Sequence, residues 1–229
     1  MKVLVIDVGG TNIKVLATGH KRKVEIHSGS KMTPVKMIAA VRSATRGWKY
    51  DGVSIGYPGP VVRNHPISEP HNLGRGWVGY DFQKAFGHHP VKIVNDAAMQ
   101  ALASYKGKRM LFLGLGTGLG SALIDHDRLE PMELAHLPYK KGRTYEEYLG
   151  LKGLKRSGKK KWRRHVREVI KLLKTALEAD YVVLGGGNAK LLRKLPKDCC
   201  RGDNDNAFKG GYRLWPQKNA MTSHERLLN

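Results

Sequence analysis

The first half of the chain alternates short apolar runs with polar turns, which is the pattern of buried β-strands. Residues 3–6 are a continuous run of aliphatic side chains, as expected of a strand covered on both faces. Residues 22–28 alternate apolar and polar positions instead, which indicates a half-buried strand. Further apolar runs predict three more strands, in the segments IKVLA (13–17), GVSIGY (52–57) and VKIVN (91–95).

A helix is predicted between the strand at residues 22–28 and the strand at residues 52–57. Thr33 can cap the helix through its hydroxyl, and Pro34 suits the first helical position because that position needs no backbone donor. We expect the helix to run to about Arg46. Its buried face would contain Val35, Ile38 and either Val41 or Ala39.

The second half of the chain begins as the first half does, with a strand, a glycine turn and a strand. These are RMLFLGL (109–115), GTGLG (116–120) and SALID (121–125). The segment YVVLGGGNAKLL (181–192) later predicts another strand, another glycine turn and a helix. Strands that alternate with helices indicate an α/β protein with mixed sheets, and the repeated opening suggests a duplicated topology. The two halves would meet near residues 95–108.

A long amphipathic helix is predicted between these segments. Apolar residues recur there at helical spacing, so that one face of the helix is buried and the other is polar. The predicted buried face comprises Trp162, Val166, Val169, Ile170, Leu173, Ala176 and Leu177.

Three glycine-rich turns, each directly after an apolar strand, are candidate phosphate-binding sites. Glycine allows positive φ and lets backbone N–H groups approach a ligand closely, which suits phosphate oxygens. Asp7 stands at a strand end beside the first turn, where its carboxylate can hold Mg²⁺ directly or through water. Any one turn could be only a tight hairpin, but three in one chain favour phosphate binding. The residues assigned to phosphate binding are Asp7, Gly9, Gly10, Thr11, Asn12, Lys14, Gly116, Thr117, Gly118, Gly185, Gly186 and Gly187.

The glycine spacing excludes two common nucleotide-binding motifs. No segment matches the GxxxxGK[ST] pattern of a P-loop. A GxGxxG dinucleotide fingerprint that starts at Gly114 fails at Leu119, and one that starts at Gly116 fails at Ser121. The turns therefore indicate another class of phosphate-binding protein.

Five motifs, in order along the chain, resemble those of the ROK family of sugar kinases, which belongs to the actin/hexokinase superfamily. They are DVGGT (7–11), VNDAA (94–98), LGTGLGSAL (115–123), ELAH (133–136) and VVLGGGNA (182–189). The PGPVV loop, the close spacing of TGLGSAL and ELAH, and the late NAFKGGYRLW are most similar to the polyphosphate glucokinase branch. The resemblance implies a two-lobed, actin-like (ribonuclease H-like) α/β fold, in which mixed sheets are flanked by helices. A cleft would separate lobes 1–96 and 97–229, with a C-terminal tail that can return to the N-terminal lobe.

The same resemblance implies roles for individual residues. Asp96, between a strand and a helix, would be the base that accepts the proton of the sugar hydroxyl, although it could also serve as the helix N-cap. Ala135 departs from the family motif E-x-G-H, and Glu147 leaves open which of two adjacent glutamates faces the sugar. Asn72 could be only a turn residue. The residues assigned to sugar binding are Gly59, Asn95, Asp96, Glu133, His136 and Glu146.

The resemblance implies Mg²⁺ as the metal cofactor, and no structural zinc is expected. Most members of the family carry a cysteine-rich zinc site after the E-x-G-H histidine, whereas residues 137–148 contain no cysteine. The two cysteines of the chain, Cys199 and Cys200, are adjacent and make no disulfide framework, which is typical of a reducing compartment. No apolar segment has the length of a membrane span. We therefore expect a cytoplasmic protein with no membrane partner.

The net charge bears on the choice of partner. With 41 Lys+Arg against 19 Asp+Glu, the 229-residue chain carries a net charge of +22, which attracts anions. Residues 152–164, KGLKRSGKKKWRR, place eight cations near the start of the long helix, where cations oppose the helix dipole and an anionic ligand would relieve them. A solvated surface is the plainer alternative. We assign to a polyphosphate track the residues Lys159, Lys160, Lys161, Arg163 and Arg164.

The predicted function is transfer of a phosphoryl group from inorganic polyphosphate to the 6-hydroxyl of glucose or a similar hexose. ATP is the alternative donor, because the GGGNA turn resembles the adenosine motif of the family. Nucleic-acid binding is disfavoured, because the first turn starts at Asp7 and leaves no room for the winged helix that precedes the core of ROK repressors. A sugar sensor without catalysis is disfavoured as well, since Asp96 and all three turns are intact. Family analogy suggests a homodimer.

Overall fold

The structure, a computed structural model, describes residues 1–202 and 206–215. Five strands of the first half form one sheet in the order β3-β2-β1-β4-β7, while β5 and β6 pair separately as a short hairpin. The strands are β1 (Val3–Val8), β2 (Asn12–Ala17), β3 (Val24–His27), β4 (Gly52–Tyr57), β5 (Val61–Val62), β6 (His65–Pro66) and β7 (Val91–Asn95). The helices of this half are α1 (Pro34–Ala44) and α2 (Phe82–Ala85). All five strands predicted here are confirmed.

The second half forms another five-stranded sheet in the order β10-β9-β8-β13-β14, with β11 and β12 as a separate hairpin. Its strands are β8 (Met110–Leu115), β9 (Leu119–Asp125), β10 (Arg128–Met132), β11 (Pro138–Lys140), β12 (Arg143–Thr144), β13 (Tyr181–Gly185) and β14 (Cys199–Arg201). Its helices are α3 (Asp96–Ser104), α4 (Tyr145–Leu149), α5 (Leu151–Ala176) and α6 (Asn206–Arg213). Two 3₁₀ turns are added at Leu134–His136 and Ala189–Leu191.

The two sheets are built in the same way. In each, the first strand pairs with the second as an antiparallel hairpin and with a later strand in parallel, so that β1 lies between β2 and β4 and β8 lies between β9 and β13. The mixed sheets and the duplicated topology are therefore confirmed. Parallel strands end at the same edge of a sheet, and this arrangement brings the turns that follow them together.

Helix α3 connects the two sheets. Ala97, Ala98 and Ala101 pack with apolar residues of the second sheet, while Met99 packs with Val3 and Val5 of β1. Helix α3 therefore belongs to the cores of both halves, and its contacts do not mark a boundary at residue 96. The division into lobes 1–96 and 97–229 stays a prediction.

The last described helix, α6, packs against α3 and against β1 and β4 of the first sheet. The buried Ser54 hydroxyl on β4 donates to the Gly211 carbonyl (2.7 Å) and accepts from the Trp215 indole N–H (2.8 Å). A Cβ on Gly210 would lie 1.7 Å from the Met99 carbonyl oxygen, so a glycine there permits the close approach of α6 to α3. The segment 206–215 thus holds the start of the chain and α3 together.

Helix α1 differs from its prediction in length and in phase. It ends at Ala44, with Thr45 as its C-cap, rather than at Arg46. Val35, predicted to be buried, is 63% exposed, and Met37 takes its place in the core. The predicted N-terminus is confirmed, since the Thr33 hydroxyl accepts from the Lys36 N–H.

Two other predictions about helices were wrong in detail. Helix α5 is interrupted at Gly158, whose φ of 71° and ψ of 161° are not helical, and Ala176 at its end is exposed rather than buried. The helix predicted after the third glycine turn is only the 3₁₀ turn Ala189–Leu191.

Candidate active site

Asp96 is the first residue of α3, at the carboxyl end of the buried strand β7. Asn95 precedes it as the N-cap, because its side-chain oxygen accepts from the N–H groups of Ala97 (2.8 Å) and Ala98 (3.3 Å). The Asn95 amide also donates to the Gly59 carbonyl (3.1 Å), which fixes the loop after β4 beside the helix start. The capping alternative for Asp96 is therefore wrong, since Asn95 is the cap and the Asp96 carboxylate is not needed for that role.

The environment of Asp96 favours its protonated form far more than water does. Burial and then the nearby Asp7 charge raise the pKa of Asp96 to about 7, with a further contribution from Glu133. The Ala97 N–H, which donates to the carboxylate at 2.7 Å, opposes this shift only in part. A carboxylate with a pKa near neutrality is suited to accept a proton and release it again, as a general base must.

Asp7 lies on β1, paired with Lys14 on β2 and with Gly56 on β4. Burial raises the pKa of Asp7, and the nearby Lys14 and Lys23 ammonium groups oppose this effect. A cation beside Asp7 would offset the charge of this carboxylate, and Mg²⁺ fits such a site because it is usually bound through one or two carboxylates and keeps several waters. Within the described ranges, no group of three or more His, Cys, Asp or Glu side chains could hold a metal without such additional ligands.

The first glycine turn closes the hairpin between β1 and β2. The Gly9 N–H donates to the Asn12 carbonyl (3.1 Å), and the Ser28 hydroxyl donates to the Gly9 carbonyl (2.7 Å). Gly10 lies against Asn72, since a Cβ on Gly10 would come within 2.9 Å of the Asn72 Cβ. The turn therefore forms a hairpin next to Asp7, and phosphate binding by its residues stays a prediction.

The second and third glycine turns lie together. They follow the parallel neighbours β8 and β13, in which Gly114 is paired with Gly185. Asn188 joins them, because its backbone N–H donates to the Leu115 carbonyl and its side-chain amide donates to the Gly116 carbonyl, both at 2.9 Å. The second turn also packs on the start of α3, where a Cβ on Gly120 would lie 2.7 Å from the Ala97 Cβ. Asp96 therefore begins a helix that is in contact with this double turn.

Asn188 is a site residue that the sequence prediction missed. The motif GGGN contains it, but the glycine pattern predicts free backbone N–H groups only at the three glycines. The amide that bridges two turns is a contact between segments 72 residues apart, and no local pattern indicates it.

The sugar-assigned side chains Glu133 and His136 lie at the two ends of the 3₁₀ turn after β10, Glu133 as its N-cap and His136 as its last residue. The Glu133 carboxylate and the His136 imidazole are 4.0 Å apart and expose 49% and 72% of their side chains. Burial raises the pKa of Glu133, His136 opposes this shift, and Glu146 adds to it. Ala135 between them is buried in the core, so the methyl group that departs from the family motif packs inward.

Glu146 and Glu147 have different roles in the structure. Glu147 forms a capping box with Thr144 at the start of α4, so its carboxylate accepts from the Thr144 N–H (2.9 Å). The Glu146 carboxylate instead accepts from the Leu119 N–H (3.2 Å) and lies against Gly118 of the second turn. Of the two adjacent glutamates, Glu146 is therefore the one that faces the second turn and Glu133.

Matched alanine substitutions at these two positions should separate binding from folding. We expect Glu146→Ala to raise the KM for glucose about 10-fold or more, because a hydrogen bond to a charged group contributes about 1.5–3 kcal/mol. Glu147→Ala should leave that KM within about twofold and lower the free energy of unfolding by about 0.5–2 kcal/mol, the usual contribution of a cap. Steady-state kinetics and urea unfolding of both variants test this, and equal KM values would contradict the assignment.

The polyphosphate-assigned cations lie on a helix that starts at the second turn. The Leu151 N–H at the start of α5 donates to the Thr117 carbonyl (3.0 Å), and Lys159 directly follows the interruption of the helix at Gly158. Arg163 is fixed by its Nε, which donates to the Leu191 carbonyl (2.7 Å) in the 3₁₀ turn after the third glycine turn. The exposed members of the set are Lys159, Lys160, Lys161 and Arg164.

The charge of α5 is almost entirely of one sign. Its 26 residues include eleven lysines and arginines and a single acid, Glu168. Arg163 and Arg156 direct their guanidinium groups at backbone carbonyls of Leu191 and Glu147, so they fasten the helix as well as adding charge. Lys174 is paired with Asp198, whereas Lys159, Lys160 and Lys161 make no fixed contact within the described part of the chain and remain available to an anion.

A sequence model of the ROK family matches residues 3–130, more than half of the chain. The chain belongs to the ROK family. One relative is the polyphosphate glucokinase of Mycobacterium tuberculosis (strain CDC 1551 / Oshkosh). It is 28% identical over 204 residues, which cover 80% of this chain and 76% of the relative. A polyphosphate glucokinase of Mycobacterium leprae (strain TN) is 28% identical over 205 residues, 80% of this chain and 62% of that protein.

Solved structures of ROK proteins share the fold. The inorganic polyphosphate/ATP-glucomannokinase of Arthrobacter sp. strain KM superposes with a TM-score of 0.76 at 23% identity, over 93% of this chain and 97% of that one. The ROK family glucokinase of Streptomyces griseus, in complex with glucose and AMPPNP, superposes with a TM-score of 0.70 at 15% identity, over 93% of this chain and 99% of that one. The actin-like α/β fold predicted for this chain is confirmed. None of the helices in the described part of the chain has the length and apolar content that crossing a bilayer requires.

Proposed function

We propose that this ROK protein is a Mg²⁺-dependent sugar kinase that transfers a phosphoryl group from inorganic polyphosphate to the 6-hydroxyl of glucose or a similar hexose. The observation that carries the proposal is Asp96, a carboxylate with a pKa of about 7 at the start of a helix that packs on the double glycine turn. The names of the Mycobacterium and Arthrobacter relatives support both the sugar and the donor.

In the proposed reaction, the Asp96 carboxylate accepts the proton of the sugar hydroxyl as the hydroxyl oxygen attacks the terminal phosphorus. The bond between that phosphorus and the bridging oxygen breaks, and a polyphosphate shorter by one unit leaves. Asn95, Glu133, His136 and Glu146 orient the sugar through its other hydroxyls. Backbone N–H groups of the glycine turns stabilise the charge on the phosphoryl oxygens.

Mg²⁺, which Asp7 would hold with donor oxygens and water, supplies further neutralisation of the phosphate charge. Lys14 pairs with Asp7 across β1 and β2 and adds a cation on the phosphate side of the same site. Most of the catalysis in this arrangement is positioning and charge stabilisation, as is usual for phosphoryl transfer.

Polyphosphate is favoured over ATP because of the charge on α5. Eleven cations against one acid on a single helix exceed what one nucleotide needs, whereas a long polyanion can contact several of them at once. Both ends of the basic segment are tied to the donor turns, one through Leu151 and the other through Arg163. ATP is the second candidate, since the Streptomyces relative binds AMPPNP and the third turn resembles the family's adenosine motif.

Charge reversal distinguishes the two donors. We expect the triple variant Lys159→Glu, Lys160→Glu, Lys161→Glu to raise the KM for long-chain polyphosphate about 10-fold to 100-fold, because each of the three exposed charged contacts that it removes contributes up to about 1 kcal/mol. The KM for ATP should change by less than about threefold, since salt screens these charges beyond about 10 Å.

A matched control reverses Lys49, Lys106 and Lys108, which are exposed and lie outside α5 and the glycine turns. This control carries the same change in net charge and should leave both KM values within about twofold. Equal effects of the first triple variant on both donors would refute the polyphosphate track. Salt-sensitive DNA binding by a parent protein without kinase activity would favour the nucleic-acid class instead.

A further inference from the structure

The hairpin β11–β12 joins the two groups of sugar-assigned residues. Glu133 and His136 lie directly before it, and Glu146 follows it on the first turn of α4. The Leu137 carbonyl just ahead of the hairpin accepts from the Tyr145 N–H just behind it (3.0 Å). The position of this hairpin therefore determines how the two sides of the proposed sugar site are spaced.

The hairpin cannot hold its own position. It has only two strand pairs, Pro138 with Thr144 and Lys140 with Arg143, and its register shifts between them. Its turn contains Lys141 and Gly142, both at positive φ, and a two-stranded hairpin alone is marginally stable in water. Its placement must therefore come from contacts with the rest of the protein.

Those contacts are made with α5, through one side chain in particular. The Tyr139 hydroxyl and the His165 Nδ1 are 3.1 Å apart, and the two rings meet edge to face. Tyr148 packs edge to face on both of these rings, which encloses the contact from the side of α4. Lys140 adds an ion pair with Glu168, one turn further along α5.

The state of His165 suits this contact. Burial lowers the pKa of His165, and the neighbouring Lys140, Arg164 and Arg156 charges lower it further, while Glu168 opposes them. The neutral imidazole is therefore favoured, and its Nδ1 can accept the hydrogen of the Tyr139 hydroxyl.

The same part of α5 carries the cations proposed to bind polyphosphate. Arg164 directly precedes His165, and Lys161 lies four residues before it, on the same side of the helix. A polyanion that orders these cations would fix the segment of α5 to which the hairpin is attached. The contact thus links the donor side of the molecule to the acceptor side.

We propose that the Tyr139–His165 contact is a latch through which donor binding on α5 tightens the sugar site. Tyr139 and His165 are positioning residues in this scheme and touch neither substrate. The proposal rests on the proposed function, because it takes the basic segment as the donor track and the residues on either side of the hairpin as sugar contacts.

The test measures the coupling between donor and sugar directly. The probes are glucose and inorganic tripolyphosphate with Mg²⁺, and the Asp96→Asn background prevents turnover. We expect tripolyphosphate to raise the affinity for glucose about fivefold or more, the lower end of typical coupling between sites. Adding Tyr139→Phe should reduce this factor to about one while changing the affinity for tripolyphosphate alone by less than about twofold.

Tyr145→Phe is the matched control. Its ring packs on Tyr139 with centroids 5.3 Å apart, but its hydroxyl makes no hydrogen bond among residues 1–202 and 206–215. The control should keep the full coupling, and it should lower Tm less than Tyr139→Phe does because it removes no hydrogen bond. Glu168→Gln, which removes the ion pair with Lys140, should reduce the coupling in part and serves if Tyr139→Phe does not fold.

The outcomes separate the latch from the proposed function. Coupling that survives Tyr139→Phe, or that is absent from the parent although both probes bind, would overturn the latch and leave the kinase proposal standing. In the protein with Asp96 intact, a split in which Tyr139→Phe raises the KM for glucose with little change in kcat would support it. If the unmodified protein neither binds tripolyphosphate nor phosphorylates glucose, the proposed function is refuted, and the latch with it.

Discussion

Replacing Asp96 with asparagine should lower kcat for glucose phosphorylation by about 10²–10⁴-fold with either polyphosphate or ATP, the usual contribution of a general base. Asparagine keeps the size of the side chain and its ability to accept a hydrogen bond from the Ala97 N–H, but it cannot accept the sugar proton. Because Asn95 is the N-cap of α3, the helix start should persist. Steady-state kinetics, together with glucose binding by calorimetry, measures the effect.

The pH profile of the same pair of proteins identifies the group. Burial raises the pKa of Asp96, which is about 7 before Mg²⁺ offsets the Asp7 charge, so the parent should lose kcat/KM as the pH falls below 7 and the base becomes protonated. The residual activity of Asp96→Asn should lack this step. Near-normal turnover by the variant, or an unchanged step near pH 7, would rule out Asp96 as the base.

The strands and turns that form this site could be predicted because their signals are local. Residues 3–6 are buried on both faces of a sheet, and this burial leaves a continuous apolar run in the sequence. The glycine turns were recognisable because each directly follows such a run. Asp96 was located by its position between a strand and a helix, and the resemblance to ROK kinases supplied its role.

The parts that could not be predicted depend on contacts between distant segments. The phase of α1 was wrong at Val35 because the helix turns Met37 toward the sheet, and both residues are apolar enough for the core. The choice between Glu146 and Glu147 has a sequence signal that the prediction did not use, since Thr144 followed by Glu147 three residues later matches the capping box that the structure shows. The Tyr139–His165 contact joins a hairpin to a helix, and neither segment contains a pattern that indicates the other.

Gly186, in the third turn, has a backbone that other residues adopt only with strain. Its φ is 79°, and a Cβ at this position would lie 2.4 Å from the Leu115 carbonyl oxygen on the neighbouring strand. Leu115 cannot move away easily, because β8 is held between β9 and β13 and the Leu115 carbonyl accepts from the Asn188 N–H. Gly187 differs from it sharply, since a Cβ there would meet no atom within 4 Å.

We therefore expect Gly186→Ala to lower the free energy of unfolding by about 2–4 kcal/mol, whereas Gly187→Ala should change it by about 0.5 kcal/mol or less. Because the clash pushes the second and third turns apart, Gly186→Ala should also raise the KM for polyphosphate and for ATP together, unlike charge reversal on α5. Urea unfolding and donor kinetics on both variants measure this difference. If the two alanine variants were equally stable and equally active, the contact between the turns would not be what holds the donor site in shape.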